Sequence, residues 1–247
     1  MRVVQLTNSY VMNEQKGVPN NWTLEKELTK LSNQPDLNSA LIELTLITAE
    51  ESGAGAIELT HADWYRAGSE TYICNFSIRT RTQTKRFVLK AVVAFSTAQQ
   101  LDEILRTWVE RRQLLQTSGV KTPTLHYAGT GVILEEYIPY TLLQFLEQGP
   151  TPLSLIKSAA EYVGVLSKLR FSPIDAFSDL RTDGYQVIPV DFGEDLGPPG
   201  MAQSVNDELF LRLLRWLQEN GSKLEHPQIE ELHTAFTLAS SECNSIH

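Results

Sequence analysis

Residues 132–139 read VILEEYIP. Three apolar residues run into Glu135 and Glu136, then into Tyr137, Ile138 and Pro139. This stretch divides the chain. Before it, apolar residues recur mostly at strand spacing; after it, mostly at helical spacing. Just upstream, Leu125–Ala128 and Val132–Leu134 read as a hairpin around Gly129-Thr130-Gly131. Before that, Leu101, Ile104, Leu105, Trp108, Val109 and Leu115 recur as on one helix, and Gly119 closes it.

Further upstream the spacing predicts three short strands, Ile57–Thr60, Tyr72–Ile78 and Arg86–Val93, as an antiparallel meander. Tyr72, Cys74, Phe76 and Ile78 share a face of the second. At the start of the chain, Asn21 caps a helix carrying Leu24, Leu28 and Leu31, and Ala40–Thr48 reads as a strand. After Pro139 come a short helix (Leu142–Leu146), a long amphipathic helix (Leu155–Leu169), a strand (Gln186–Val190), a helix capped by Asn206 and a last helix opened by Pro227. Strands first and helices second indicate an α+β chain in two lobes with a crevice between them, not an alternating parallel sheet.

The 247 residues are 42% hydrophobic and 21% charged, which suits a globular chain with a real core. The formal charge of -9 repels phosphate backbones and anionic lipid heads, so neither nucleic acid nor a membrane is the expected partner. The two cysteines, Cys74 and Cys243, are too few for a disulfide framework or a zinc site. The N-terminus has no apolar leader pattern, and no apolar run approaches the ~20 residues that span a bilayer. The expectation is a soluble, cytoplasmic protein. The five histidines show no metal spacing, and there is no nucleophile elbow.

Chemistry concentrates at a few places. Val187–Val190 leads into Asp191-Phe192-Gly193. Lys90 is the only charge in the apolar run from Phe87 to Phe95. A lysine there is costly unless it meets a partner, or it guards an exposed sheet edge. Trp64–Glu70 lies in the link between the first two strands and contains Gly68 and Ser69, which suits either a hairpin turn or a close backbone approach to phosphate. Glu110 lies opposite the Leu101/Leu105/Trp108 stripe of its helix, with Glu103 as a rival candidate. Asp179 stands twelve residues before Asp191, and Asp175 four before that.

Taken in order, these elements resemble the protein-kinase-like superfamily, nearest its aminoglycoside and choline phosphotransferase branch. The resemblance runs from about Trp64 to Gly193. It implies a two-lobed fold, with an antiparallel β N-lobe carrying the helix the family calls C and a mainly α C-lobe. The boundaries follow: an extension over 1–55, the N-lobe and hinge over 56–138, and the C-lobe over 139–247. It also implies ATP and Mg²⁺ as cofactors. Gly68 and Ser69 would cover the phosphates, Lys90 would orient them, and Glu110 would hold Lys90. Ile133–Pro139 matches the hinge, where the carbonyl of Glu136 and the N–H of Ile138 would bond the adenine edge. Asp191 and Asp179 would bind the metal.

The catalytic loop diverges from the family. Its histidine and asparagine are missing between Ser172 and Leu180. Asp179 falls near the asparagine position, where a carboxylate still suits Mg²⁺. Asp175 falls near the catalytic aspartate, one residue off. The two may equally be turn and cap residues. The implied activity is transfer of the γ-phosphoryl group of ATP to a small-molecule hydroxyl. The alternative is a pseudokinase, a binding module with a degenerate loop. A protein-directed kinase is disfavoured because the segment after Asp-Phe-Gly is short. Residues 1–55 lie outside the resemblance and are a candidate surface for a protein partner.

Overall fold

The alternation of Cys74, Phe76 and Ile78 does produce a strand, and all three are buried in the computed structural model. The structure describes residues 58–67, 71–79, 84–92, 98–129, 131–149, 151–193, 196–200 and 207–241. The helix expected from Asn21, the strand at 40–48, Gly68, Ser69 and the cap Asn206 lie outside them.

The meander comprises β1 (Glu58–Ala67), β2 (Thr71–Arg79) and β3 (Thr84–Val92), paired antiparallel. β1 is longer than expected and takes in Trp64–Ala67, which had read as linker. The reason is a register shift between Thr60 and Asp63. A bulge interrupts the two-residue alternation, so the pattern fails there although the pairing continues. The connection to β2 thereby shrinks to residues 68–70.

A helix, α1 (Ala98–Thr117), follows. Its C-terminus is closed as Gly119 predicts: Gly119 has φ +87°, its N–H donates to the Gln116 carbonyl, and the Val120 N–H donates to the Leu115 carbonyl. That pair of bonds satisfies the last carbonyls of the helix and needs a left-handed residue. β4 (Leu125–Gly129) and β5 (Val132–Glu136) form the expected hairpin and complete a five-stranded sheet in the order β1-β2-β3-β5-β4. β2, β3 and β5 are its inner strands. β5 is buried from Val132 to Glu135 and β3 largely so from Phe87 on, and Phe87 of β3 stacks on Phe76 of β2 with centroids 5.6 Å apart.

After Pro139 a small ribbon appears: β6 (Tyr140–Thr141), β7 (Arg181–Thr182) and β8 (Val187–Ile188), in that order. β8 is shorter than the expected Gln186–Val190. Pro189 has no N–H to continue a ladder. Helices α2 (Leu142–Glu147), α3 (Leu153–Lys168), α4 (Glu208–Glu219) and α5 (His226–Ser240) complete the described chain. A capping box between Thr141 and Gln144 starts α2. α3 and α5 pack at Gly164, where an added Cβ would come within 2.6 Å of the Phe236 carbonyl oxygen. Only glycine permits that approach.

The chain therefore is α+β, with an antiparallel sheet first and helices after it. It forms two compact units. One takes the chain through Arg106 together with Thr124–Tyr137; the other takes Thr107–Pro123 and Ile138 onward. Among the described residues no helix is long and apolar enough to cross a membrane.

Candidate functional site

In the first unit the candidate group is Lys90. Strand register sets it opposite Ile73 of β2 and Ile133 of β5. β3 is thus an inner strand, and the edge-guard reading of this lysine does not apply. Its Nζ lies 2.7 Å from Oε1 of Glu135, with the two side chains 12% and 2% exposed. Glu135 is two residues beyond Ile133 on β5, so it shares the face of Lys90 and meets it diagonally across the pair. Burial favours this contact, because a desolvated charge is costly without a counter-charge.

The end of β5 is fastened from both sides. The Glu136 N–H donates to the Thr124 carbonyl at 2.9 Å, and the Tyr137 N–H donates to the Arg86 carbonyl at 3.2 Å. The Glu136 carboxylate accepts from the Thr124 hydroxyl (3.0 Å) and N–H (3.2 Å). The Arg86 guanidinium lies over the Tyr137 ring. Ile138, the next residue, is buried and belongs to the second unit.

In the second unit the candidate groups are aspartates on loops. Oδ1 of Asp191 accepts from the Gly193 N–H at 2.8 Å, a local turn that fixes the carboxylate direction. Phe192 is buried. Two arginines of α1 grip this loop. Arg111 donates from Nη1 to the carbonyls of Phe192 (3.1 Å) and Gly193, and the Arg112 guanidinium lies 5.3 Å from the Phe192 ring centroid. They are only 8% and 2% exposed. Sequence reasoning passed over both and attended to Glu110, which is exposed on the same helix. The signal was available. At 100° per residue Arg112 falls in the middle of the Leu101/Leu105/Trp108/Leu115 stripe, where a solvated charge has no place.

Asp175 is held by its own loop. Its carboxylate accepts from the N–H groups of Phe177 and Ser178, each at 3.1 Å, and from the Ser178 hydroxyl. Partial burial pushes its pKa up, but the Ser178 hydroxyl, the two N–H donors and the Arg212 charge outweigh it, so the carboxyl sits below its ordinary range. Arg212 of α4 also ties the loop down, donating to the carbonyls of Pro173 and Ile174 at 2.9 Å each. Asp179 is exposed.

These loops converge. Asp175, Asp179 and Asp191 line one small pocket of about 20 Å³, with Tyr162, Pro189 and Leu196 among its other walls. Burial first, and then the charge of Asp191, push the Tyr162 phenol pKa far up, so Tyr162 stays neutral. Tyr162 also borders a larger cavity of about 570 Å³, beside Lys157, Lys168, Glu161 and Glu231. Lys121, at the rim of that cavity, pairs with Asp183 at 2.8 Å. Although burial acts the other way, this lysine and two backbone N–H groups lower the Asp183 pKa to about 2.

Among the described residues, no three His, Cys, Asp or Glu side chains form a ready metal cage. That is compatible with Mg²⁺, which is typically held by one or two carboxylates while substrate phosphates and water complete the shell. Asp191 and Asp179 fit such a partial shell. Asp175, with its carboxylate engaged by its own loop, does not.

No family model matches the chain, and no curated protein does. Among solved structures it is similar to the Rio2 kinase of Chaetomium thermophilum in its ADP/Mg²⁺-phosphoaspartate complex, at 13% identity, over 79% of this chain and 68% of that one, with a TM-score of 0.43. It is also similar to a macrolide 2'-phosphotransferase type I, at 10% identity, over 84% and 90% of the two chains, with a TM-score of 0.40.

Proposed function

We propose that this protein is a phosphotransferase that moves the γ-phosphoryl group of ATP to a hydroxyl of a small molecule. The observation that carries the reading is the convergence of Asp175, Asp179 and Asp191 on one pocket. In this reading Lys90 orients the nucleotide phosphates, and Gly68 and Ser69 would cover them. The Glu136 carbonyl and the Ile138 N–H bond the base. Glu110 holds Lys90 in the family pattern, and Glu135 competes with it for that role. Asp191 and Asp179 would supply carboxylate oxygens to Mg²⁺, which would neutralise charge on the transferring group.

The acceptor oxygen forms a bond to the γ-phosphorus as the bond to the β-phosphate oxygen breaks and ADP leaves. The acceptor proton passes to the Asp175 carboxylate. A carboxylate with a lowered pKa is a weak base, which is sufficient because phosphoryl transfer depends chiefly on position and charge. A cytoplasmic location fits the composition, and the net charge of -9 argues against nucleic acid and anionic membranes as partners. Residues 1–55 remain the candidate surface for a protein partner.

One observation favours a second reading, a nucleotide-binding module without turnover: the Asp175 carboxylate is engaged by its own loop. The decisive experiment is thermal unfolding with ATP, with and without Mg²⁺, on the wild type and on Asp191→Ala. A bound ligand raises the midpoint by mass action. The proposal expects a Mg²⁺-dependent rise that Asp191→Ala abolishes, followed by ADP release in a screen of acceptor hydroxyls. No rise under any condition would overturn it. A rise without turnover on any acceptor would favour the binding module.

A further inference from the structure

Lys90 is embedded in a sheet and has a carboxylate against it that the family pattern does not assign. We propose that Glu135, on β5, is the positioning residue that holds Lys90 in place for the nucleotide. This rests on the reading above, in which Lys90 handles the phosphates.

The geometry favours Glu135 for three reasons. It approaches Lys90 Nζ to 2.7 Å and is itself only 2% exposed. Its strand is paired on both sides, with β3 and β4, and Val132–Leu134 beside it are buried, so the carboxylate stands on a rigid platform. Glu110, by contrast, is exposed. A desolvated carboxylate holds an ammonium group more firmly than an exposed one, because water competes for each hydrogen bond. A buried pair is also an expensive way to fill a sheet: apolar residues of the same volume are usually at least as stable. Its presence between apolar strands is therefore better explained by what Lys90 must do than by stability.

The test is a pair of double-mutant cycles. First, affinity for a non-hydrolysable ATP analogue with Mg²⁺ is measured by calorimetry on the wild type, E135Q, E110Q, K90M and K90M/E135Q. Loss of a hydrogen bond to a charged group corresponds to a roughly 10- to 100-fold weakening in E135Q, and it should exceed the loss in E110Q. The double variant should bind no more weakly than K90M alone. A purely structural role would make the two losses multiply. Additive losses, or a larger loss in E110Q, would overturn the proposal.

Second, urea unfolding of the same variants together with K90M/E110Q reads both pairs without nucleotide. Coupling of Lys90 to Glu135 greater than its coupling to Glu110 is expected, and the reverse overturns the assignment. A wild type that binds no nucleotide would defeat the phosphotransferase reading, while this second cycle would still decide whether Glu135 holds Lys90. Should E135Q not fold, E135D retains the charge on a shorter arm and is expected to bind with an intermediate affinity.

Discussion

The first unit and the second unit hold their candidate functional groups by opposite means. Lys90 sits on an inner strand and is fixed by a buried counter-charge on the neighbouring strand. Asp175 and Asp191 sit on loops and are fixed by N–H groups of residues two or three positions on in their own backbone. The sheet site is rigid because its whole platform is paired. The loop site is directed by local turns and by arginines reaching in from helices. A residue held by the fold should be costly to remove for the fold. A residue held by its own loop should not be.

The largest effect tests that contrast directly. Under the proposed function, Lys90→Ala and Asp191→Ala should each lower turnover by orders of magnitude, because both would meet the charge that develops on the transferring group. Their stabilities should differ. Lys90→Ala leaves Glu135 buried without its counter-ion, a loss of about 3–5 kcal/mol. Asp191 is exposed, and Asp191→Ala should change stability by no more than about 1 kcal/mol. Urea midpoints for the two variants decide. Equal stability losses would remove the distinction between a fold-held and a loop-held group.

The same contrast explains what could be read from the sequence. Regular elements announce themselves: Cys74, Phe76 and Ile78 alternate, and Gly119 ends a helix where a left-handed residue is needed. Lys90 is conspicuous because it breaks an apolar run, and a buried partner is the physical consequence. Its identity was missed because Glu135 lies in a stretch read for its backbone groups. The strand β1 was read short because a bulge between Thr60 and Asp63 breaks the alternation. Spacing from Asp191 brought Asp175 and Asp179 to notice, and they do line one pocket with it. Which oxygens remain available depends on loop dihedrals, which leave no periodic trace. Arg111 and Arg112 were overlooked because arginine near the end of a helix is ordinarily read as solvated.

Those arginines give the next test. Arg111→Met keeps most of the side-chain volume and removes the donor to the carbonyls of Phe192 and Gly193. Two buried acceptors then lose a charged partner, and about 1.5–3 kcal/mol of stability should go with it. If the loop relies on the helix for its shape, the Mg²⁺-dependent midpoint rise with ATP should also shrink. An unchanged rise together with lower stability would mean that the turn between Asp191 and Gly193 suffices to direct the carboxylate.

The smallest effect concerns Asp175 and carries a pH signature. Ser178→Ala removes the hydroxyl that donates to its carboxylate. The group is partly exposed, so the loss at neutral pH should be about 1 kcal/mol or less. The folded pKa lies below the ordinary value of 3.8, so protons bind the unfolded chain more readily. The stabilisation is therefore complete above 3.8 and disappears as pH falls through the lower, folded value. Urea unfolding at pH 7 and at the acid end of that window should show the two proteins converging as Asp175 becomes protonated in both states. A constant difference across the range would show that Ser178 acts on the backbone of the loop and not on the charge of Asp175. In that case the loop would be shaped for structure, and the binding-module reading would gain.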